Sequence, residues 1–306
     1  MTPSTATTTS SVRTDDGAQL HVEIDPAPGT GLSVVLVHGF TASLEEFALQ
    51  RDTLRGRATT VLYDCRGHGR SRRGRVRHPS IDQLGRDLGA VLDQAVPPGP
   101  VVLLGHSMGG MTVMALARQR PELFGPRVAG AFLLATSSGG LVEQGAAGFA
   151  VRVLRRLGLL QLYLLLLTLW APVLERVRRR GTRLGRAFFR RYLFGRHDAT
   201  PETVTQVQAL LEQTPFQVVA AFYRTLLDHD EHASLEVLHP LPVTLLVGTD
   251  DRLTPLSHSR RMAEALPDAE LVVVPGAGHS VNITRREVVD EALLRLLART
   301  EQSRAA

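Results

Sequence analysis

The sequence predicts an α/β fold: a doubly wound, mostly parallel sheet with a helical cap inserted between two sheet strands. Three observations carry the architecture. Short continuous apolar runs alternate with stretches of helical periodicity. The runs are apolar throughout, as strands are when both faces of a sheet are covered. The alternation breaks off between about Ser137 and Glu236 and then resumes.

Met1 to Ser11 is rich in Thr and Ser and has neither a basic residue nor an apolar run. Residues 1–12 are therefore expected to form a disordered tail and not a secretory signal. The first part of the core, residues 13–136, holds candidate strands at Ser33 to Val37, Thr59 to Tyr63, Val101 to Leu104 and Val128 to Ala135. Ile81, Leu84, Leu88, Val91 and Leu92 mark a helix that stops at Pro97-Pro98-Gly99. A second helix runs from the Val101 strand to about Arg120, before Pro121. The cap is expected over residues 137–236. The second part of the core, residues 237–306, holds strands at Val243 to Val247 and Leu271 to Val274, and helices at Ser257 to Leu266 and Arg286 to Ala298.

The chain has 306 residues and a formal net charge of +5; it contains no lysine, so all 35 basic residues are arginine. A basic balance fits a nucleic-acid or membrane-surface partner. No zinc-finger, RNP or basic-region pattern is present, and no nucleic-acid partner is expected. Cys65 is the only cysteine, so no intrachain disulfide can form. A cytoplasmic location is the expectation.

Gly105-His106-Ser107-Met108-Gly109-Gly110 lies between an apolar strand and a helix. This is Gly-x-Ser-x-Gly in the strand–turn–helix setting that lifts a serine hydroxyl above a sheet. The helix N-terminus also directs free N–H groups at developing negative charge. His279 follows the last apolar strand, so it shares the carboxyl edge of the sheet with Ser107. Asp250 and Asp251 both follow the Val243 strand. His106 is a rival base, but it neighbours Ser107 at a sharp turn and is expected to point away.

The chain resembles the α/β-hydrolase superfamily, in particular its capped esterase, lipase and C–C hydrolase members. The resemblance covers nearly all of residues 13–136 and 237–298. It rests on His38-Gly39-Phe40, Asp64-Cys65-Arg66-Gly67-His68-Gly69-Arg70-Ser71, the Ser107 motif, Gly248-Thr249-Asp250-Asp251-Arg252-Leu253-Thr254-Pro255 and Gly276-Ala277-Gly278-His279. It implies Ser107 as nucleophile and His279 as base. The family's Gly-x-x-Asp spacing, starting here at Gly248, implies Asp251 as the orienting acid, with Asp250 as fallback. It also implies an oxyanion hole from the backbone N–H groups of Met108 and Phe40, with Phe40 lining the acyl pocket. Asp64, Arg66 and His68 fit a structural turn. No metal and no cofactor is expected. Asp228-His229-Asp230-Glu231-His232 reads as a solvated helix end, since no third ligand has a recognisable spacing.

Within the cap, Leu157 to Leu174 reads LGLLQLYLLLLTLWAPVL. A membrane span is excluded because Ser107 precedes it while Asp251 and His279 follow it, and the three must meet. Two readings remain: a helix packed between the core and the other cap helices, or an apolar lid lining the acyl site, with Leu164 and Leu167 binding substrate. Residues 141–200 carry twelve arginines against Glu143, Glu175 and Asp198, a net +9. That bias fits peripheral contact with an anionic membrane or an anionic substrate. The leading function is a serine hydrolase cleaving a carboxylic ester with an apolar acyl group. Lactonase, C–C hydrolase and thioesterase or cyclase activities use the same triad. A non-catalytic ligand-binding protein is the alternative of another class.

Overall fold

The computed structural model describes residues 6–76, 79–141, 145–179, 187, 190–196 and 198–305. Eight strands form one sheet: Thr8–Arg13 (β1), Gln19–Asp25 (β2), Ser33–Val37 (β3), Thr59–Tyr63 (β4), Val101–His106 (β5), Val128–Leu134 (β6), Val243–Gly248 (β7) and Glu270–Val274 (β8). Their order is β1-β2-β4-β3-β5-β6-β7-β8. β1, β2 and β4 pair antiparallel, and every other neighbouring pair is parallel.

β1 corrects the expected disordered tail. Residues 8–13 pair in register with β2, from Thr8 opposite Ile24 to Arg13 opposite Gln19. Only Val12 of this edge strand is buried, so the backbone ladder holds it in place and no apolar alternation advertises it. Residues 1–5 lie outside the described part.

The central strands bury every residue, and their side chains divide between two cores. Val35, Val37 and Leu103 point to one face, where Leu84 and Leu88 of helix α2 (Ile81–Gln94) and Met111 and Val113 of α3 (Met108–Gln119) meet them. Val34, Leu36, Val102 and Leu104 point to the other. There Leu54 of α1 (Ala48–Leu54) and Leu293 and Leu296 of a C-terminal helix, Arg286–Ala305, complete the packing. A sheet sandwiched in this way needs strands apolar on both faces, which the continuous runs supply.

β3 has β4 on one side and β5 on the other. The strands stay parallel, but the direction in which successive strands are added to the sheet reverses at this point. Loops leaving the carboxyl ends of β3 and β5 part to opposite sides, and the crevice between them is where open α/β sheets bind ligands.

Between β6 and β7 the described elements are helical: Gly145–Arg156 (α4), Leu160–Leu169 (α5), Ala171–Arg179 (α6), Pro201–Leu211 (α7) and Phe216–Leu227 (α8). A 3-10 turn, His232–Leu238, leads back to the sheet. The apolar run Leu157 to Leu174 is not one helix; it divides at Trp170 into α5 and α6. No helix among the described residues is long and apolar enough to cross a membrane. After β7 come Leu256–Ala265 (α9), Val281–Thr284 (α10) and Arg286–Ala305 (α11).

One buried charge network ties the first part of the core together. Arg66, 2% exposed, bonds Asp87 through Nε and one terminal nitrogen, each at 2.6 Å, and Asp16 at 2.8 and 3.0 Å. Removing Arg66 strands the buried carboxylate of Asp87 in a medium that solvates it poorly. Arg66→Met is therefore expected to cost about 3–5 kcal/mol of unfolding free energy, measured by urea denaturation. Asp87→Leu added to it should restore much of the loss. A cost under about 1 kcal/mol would show that the pair behaves as a surface ion pair.

Candidate active site

Four loops converge at the carboxyl edge of the sheet, after β3, β5, β7 and β8. Ser107 sits between β5 and α3 with φ 53° and ψ −116°, a conformation that costs an L-residue about 1–3 kcal/mol. The turn is close to its neighbours on both sides. A Cβ on Gly105 would lie 2.5 Å from the backbone of Gly109, and one on Gly109 would strike the carbonyl of Val37. Ser107 N–H donates to the Leu134 carbonyl at 2.9 Å, and Thr136 Oγ1 donates to the Ser107 carbonyl at 2.6 Å.

His279 Nε2 lies 2.9 Å from Ser107 Oγ, and its Nδ1 lies 2.8 Å from Asp251 Oδ2. A carboxylate only accepts, so Nδ1 carries the proton and Nε2 is left to accept from the hydroxyl. Asp251 is itself fixed. Leu253 and Thr254 N–H donate to Oδ1 at 2.8 and 2.9 Å, and Thr254 Oγ1 donates to Oδ2 at 2.9 Å. Asp250 turns elsewhere, and its Oδ2 accepts from Arg196 N–H at 3.3 Å. The three residues from separate loops thus form one hydrogen-bonded row. Such a row can take the proton from a hydroxyl while it attacks.

Backbone N–H groups of Met108, the first residue of α3, and of Phe40 bond no acceptor among the described residues. The Phe40 loop is held tightly. Thr41, with φ 64°, donates its N–H to His68 Nε2 at 3.2 Å, and its carbonyl accepts from Thr214 of the cap at 2.8 Å. Burial, with a further push from His38, holds His68 down to about 3, so it stays neutral and can accept. Asp64 accepts from Leu44 and Arg70 N–H, each at 2.8 Å. Asp64, Arg66 and His68 serve the fold around the site.

Two acidic residues that sequence reasoning passed over brace these loops. Glu46 Oε2 accepts the Gly39 N–H at 2.8 Å. Its Oε1 lies 3.0 Å from His106 Nδ1, an ion pair off the line of a directed hydrogen bond. His106 Nε2 reaches the His279 carbonyl at 3.1 Å. The buried strut Glu46–His106 therefore joins the Phe40 loop to the His279 loop. His106 points away from the Ser107 hydroxyl, as its place in the turn requires. Asp198, from the cap, accepts the Gly278 N–H at 2.8 Å and pairs with Arg285 at 2.5 Å.

Ser107 and His279 open on a cavity of about 480 Å³. Its wall is mainly apolar and includes Phe40, Met111, Leu211, Phe216, Val219 and Tyr223. The expected substrate residues Leu164 and Leu167 are not part of it. Leu164 packs against α4 and α8 with Val151, Leu160 and Leu227, and it lines a separate groove on the other side of α8. α7 and α8, with Leu141, Tyr192 and Leu193 but no residue of α5, supply the cap's share of the wall. The Asp228–His232 segment also departs from expectation. It is a solvated helix end only in part: Asp228, the C-cap of α8, and Asp230 are exposed, but His229 and Glu231 are 6% exposed. His229 Nε2 reaches the Ser137 carbonyl, His232 Nδ1 reaches Ser138 Oγ, and Glu231 pairs with Arg118. These bonds fasten the returning chain to the end of β6. Among the described residues no group of three or more His, Cys, Asp or Glu could hold a metal ion. Cys65 is buried, and burial pushes its thiol well up, which makes it a poor nucleophile.

The strut has a pH signature. Burial works against the charged form of His106, but Glu46 overcomes it and raises the imidazole above its ordinary value of 6.5. Burial works against ionised Glu46 too, yet His106 and the Gly39 N–H carry its carboxyl below the ordinary 4.5. The His106 contribution to stability is complete below 6.5 and is lost as pH rises through the raised value. The Glu46 contribution is complete above 4.5 and is lost as pH falls through the lowered value. The stability gap between wild type and Glu46→Gln is therefore expected to be widest between pH 4.5 and 6.5. In NMR titration, His106 should ionise above 6.5 in the wild type and below it in Glu46→Gln. A titration unmoved by the substitution would dismiss the strut.

Comparison with known proteins agrees with the geometry. A model of the alpha/beta hydrolase family matches residues 34–292. The dihydrolipoyllysine-residue acetyltransferase component of the acetoin cleaving system of Pseudomonas putida is 26% identical over 272 residues, 87% of this chain. The match spans 64% of that protein's length, a little under two thirds. A Caulobacter sp. (strain K31) protein with the provisional name carbamate hydrolase RutD is 30% identical over 93% of this chain and 97% of its own. A thermophilic esterase from Thermogutta terrifontis superposes with a TM-score of 0.73 at 25% identity, covering 96% of this chain and 99% of its own. The sheet, the Ser107 turn and the extent of the family match lead to one conclusion: the chain belongs to the alpha/beta hydrolase family.

Proposed function

We propose that this hydrolase cleaves carboxylic esters with an apolar acyl group through a covalent acyl intermediate on Ser107. The observation that carries the reading is the row Ser107–His279–Asp251, with contacts of 2.9 and 2.8 Å, opening on an apolar cavity. The likeness to the Thermogutta esterase supports it.

In the first half-reaction His279 Nε2 takes the Ser107 proton as Oγ bonds to the ester carbonyl carbon. Negative charge gathers on the carbonyl oxygen, where the N–H groups of Met108 and Phe40 receive it. Donors fixed in advance do not reorganise as that charge appears. The C–O bond to the alcohol then breaks, and His279 returns the proton to the departing oxygen. In the second half a water gives its proton to His279 and attacks the acyl carbon; the bond to Ser107 Oγ then breaks, His279 returns the proton to Oγ, and the acid leaves. Asp251 keeps the imidazole in the required tautomer through both halves.

The testing experiment is a profile of the purified protein against aryl esters of increasing acyl length, with lactones and a thioester alongside. If half of each methylene's transfer energy, about 0.8 kcal/mol, is used in the transition state, two more methylenes raise kcat/KM about fourfold. The rise ends when the cavity is full. Val219→Phe should shorten the preferred chain and spare acetyl esters. A flat profile would remove the apolar-acyl reading.

The residue roles have their own test. A fluorophosphonate probe should label Ser107, and Ser107→Ala should abolish labelling and turnover. Asp251→Asn is expected to lower kcat by roughly 10³–10⁴, and Asp250→Asn far less. A reversed order would transfer the acid's role to Asp250.

A further inference from the structure

Helix α5 carries leucine on opposite faces. Leu160 and Leu164 turn inward and pack with Val151. Leu162, Leu165, Leu166 and Leu169 recur at the i, i+3, i+4, i+7 spacing of a single helix face. They are 51%, 54%, 44% and 64% exposed. Leu157 precedes this face and Trp170 follows it, both more than half exposed. Among the described residues twelve large apolar side chains are exposed, and ten of them lie between Val153 and Val173. They therefore form a patch and not a scatter, and patches of this kind mark binding surfaces.

The border of the patch indicates what covers it. Arg156 in α4 and Arg176 in α6 are exposed on either side, within a segment whose sequence carries +9 over residues 141–200. Two such caps brought face to face would repel. A leucine face that carries Tyr and Trp and is flanked by arginines on the neighbouring helices fits an anionic lipid surface. Tyr163 on α5 also meets Tyr223 edge-on at 6.5 Å, and Tyr223 belongs to the wall of the Ser107 cavity. The exposed patch and the cavity thus share one layer of side chains.

We propose that the α5 face, from Leu157 to Trp170, docks on an anionic lipid surface, and that the ester substrate reaches the cavity from that surface. The second clause rests on the ester-hydrolase reading; the docking itself does not. The apolar face enters the headgroup–acyl boundary while the arginines meet lipid phosphates. The helix lies in the plane of the surface.

Trp170 is the only tryptophan of the chain, so its fluorescence reports on this face without labelling. Ser107→Ala protein is mixed with vesicles of phosphatidylglycerol and phosphatidylcholine, and separately with phosphatidylcholine alone. Docking predicts a blue shift of Trp170 emission, quenching by brominated acyl chains and cosedimentation, all with the anionic vesicles at low salt. Arg156→Glu with Arg176→Glu should weaken partitioning roughly tenfold or more. Leu162→Asp with Leu166→Asp should abolish it. Both double variants, made in protein that retains Ser107, should keep wild-type turnover of a short water-soluble ester. No shift and no cosedimentation at low salt would overturn docking. Binding that ignores lipid charge and salt would overturn the anionic surface. A blue shift without vesicles that grows with protein concentration, matched by a dimer in sedimentation velocity, would give the face to a second copy instead. Docking with no preference for vesicle-borne over soluble esters would overturn the delivery clause alone.

Discussion

The backbone of Ser107 is the constraint around which the rest is arranged. An L-residue at φ 53°, ψ −116° reverts unless its surroundings hold it. β5 enters the turn anchored by the cores on both faces of the sheet, and α3 leaves it anchored by one of them. The parallel neighbours β3 and β6 complete the hold. Val37 crowds Gly109 from one side, while Leu134 and Thr136 bond Ser107 from the other. The strained turn presents the hydroxyl above the sheet only because no part of this frame can yield.

Polar order around the turn is of a different kind. Glu46, His106, Asp198 and Asp251 are buried beside the cavity, and each has a partner in a separate loop. Apolar packing alone lets loops slide, because dispersion is not directional. Hydrogen bonds between loops fix position to within a fraction of an ångström. The apolar cavity wall needs no such accuracy, and there side chains of several shapes would serve.

What could be read from the sequence was set by how local each constraint is. The sheet strands announce themselves because burial on both faces demands unbroken apolar runs. The Ser107 turn does so because only glycine fits beside it at 105 and 109. β1 gave no sign: five of its six residues are exposed, and backbone bonds hold it. Glu46 and Asp198 were silent because a lone acidic residue means nothing until its partner is known, and Asp198 finds Gly278 eighty positions away. Leu164 and Leu167 were misassigned for another reason. A helix with leucine all round has no preferred face in its periodicity, so sequence cannot say which side meets the cavity. Composition placed an apolar element in the cap; only the packing of α8 shows which wall it builds.

The cap does more than cover the pocket. Thr214 bonds the carbonyl of Thr41, and Asp198 bonds the N–H of Gly278. One cap segment therefore grips the loop of Phe40 and another grips the loop of His279. A lid that swung clear would release both grips at once. Access and competence are in this way thermodynamically linked: each opening excursion loosens the very loops that must be rigid for the chemistry. Any force that steadies the cap, from within the chain or from outside it, tightens the site by the same free energy.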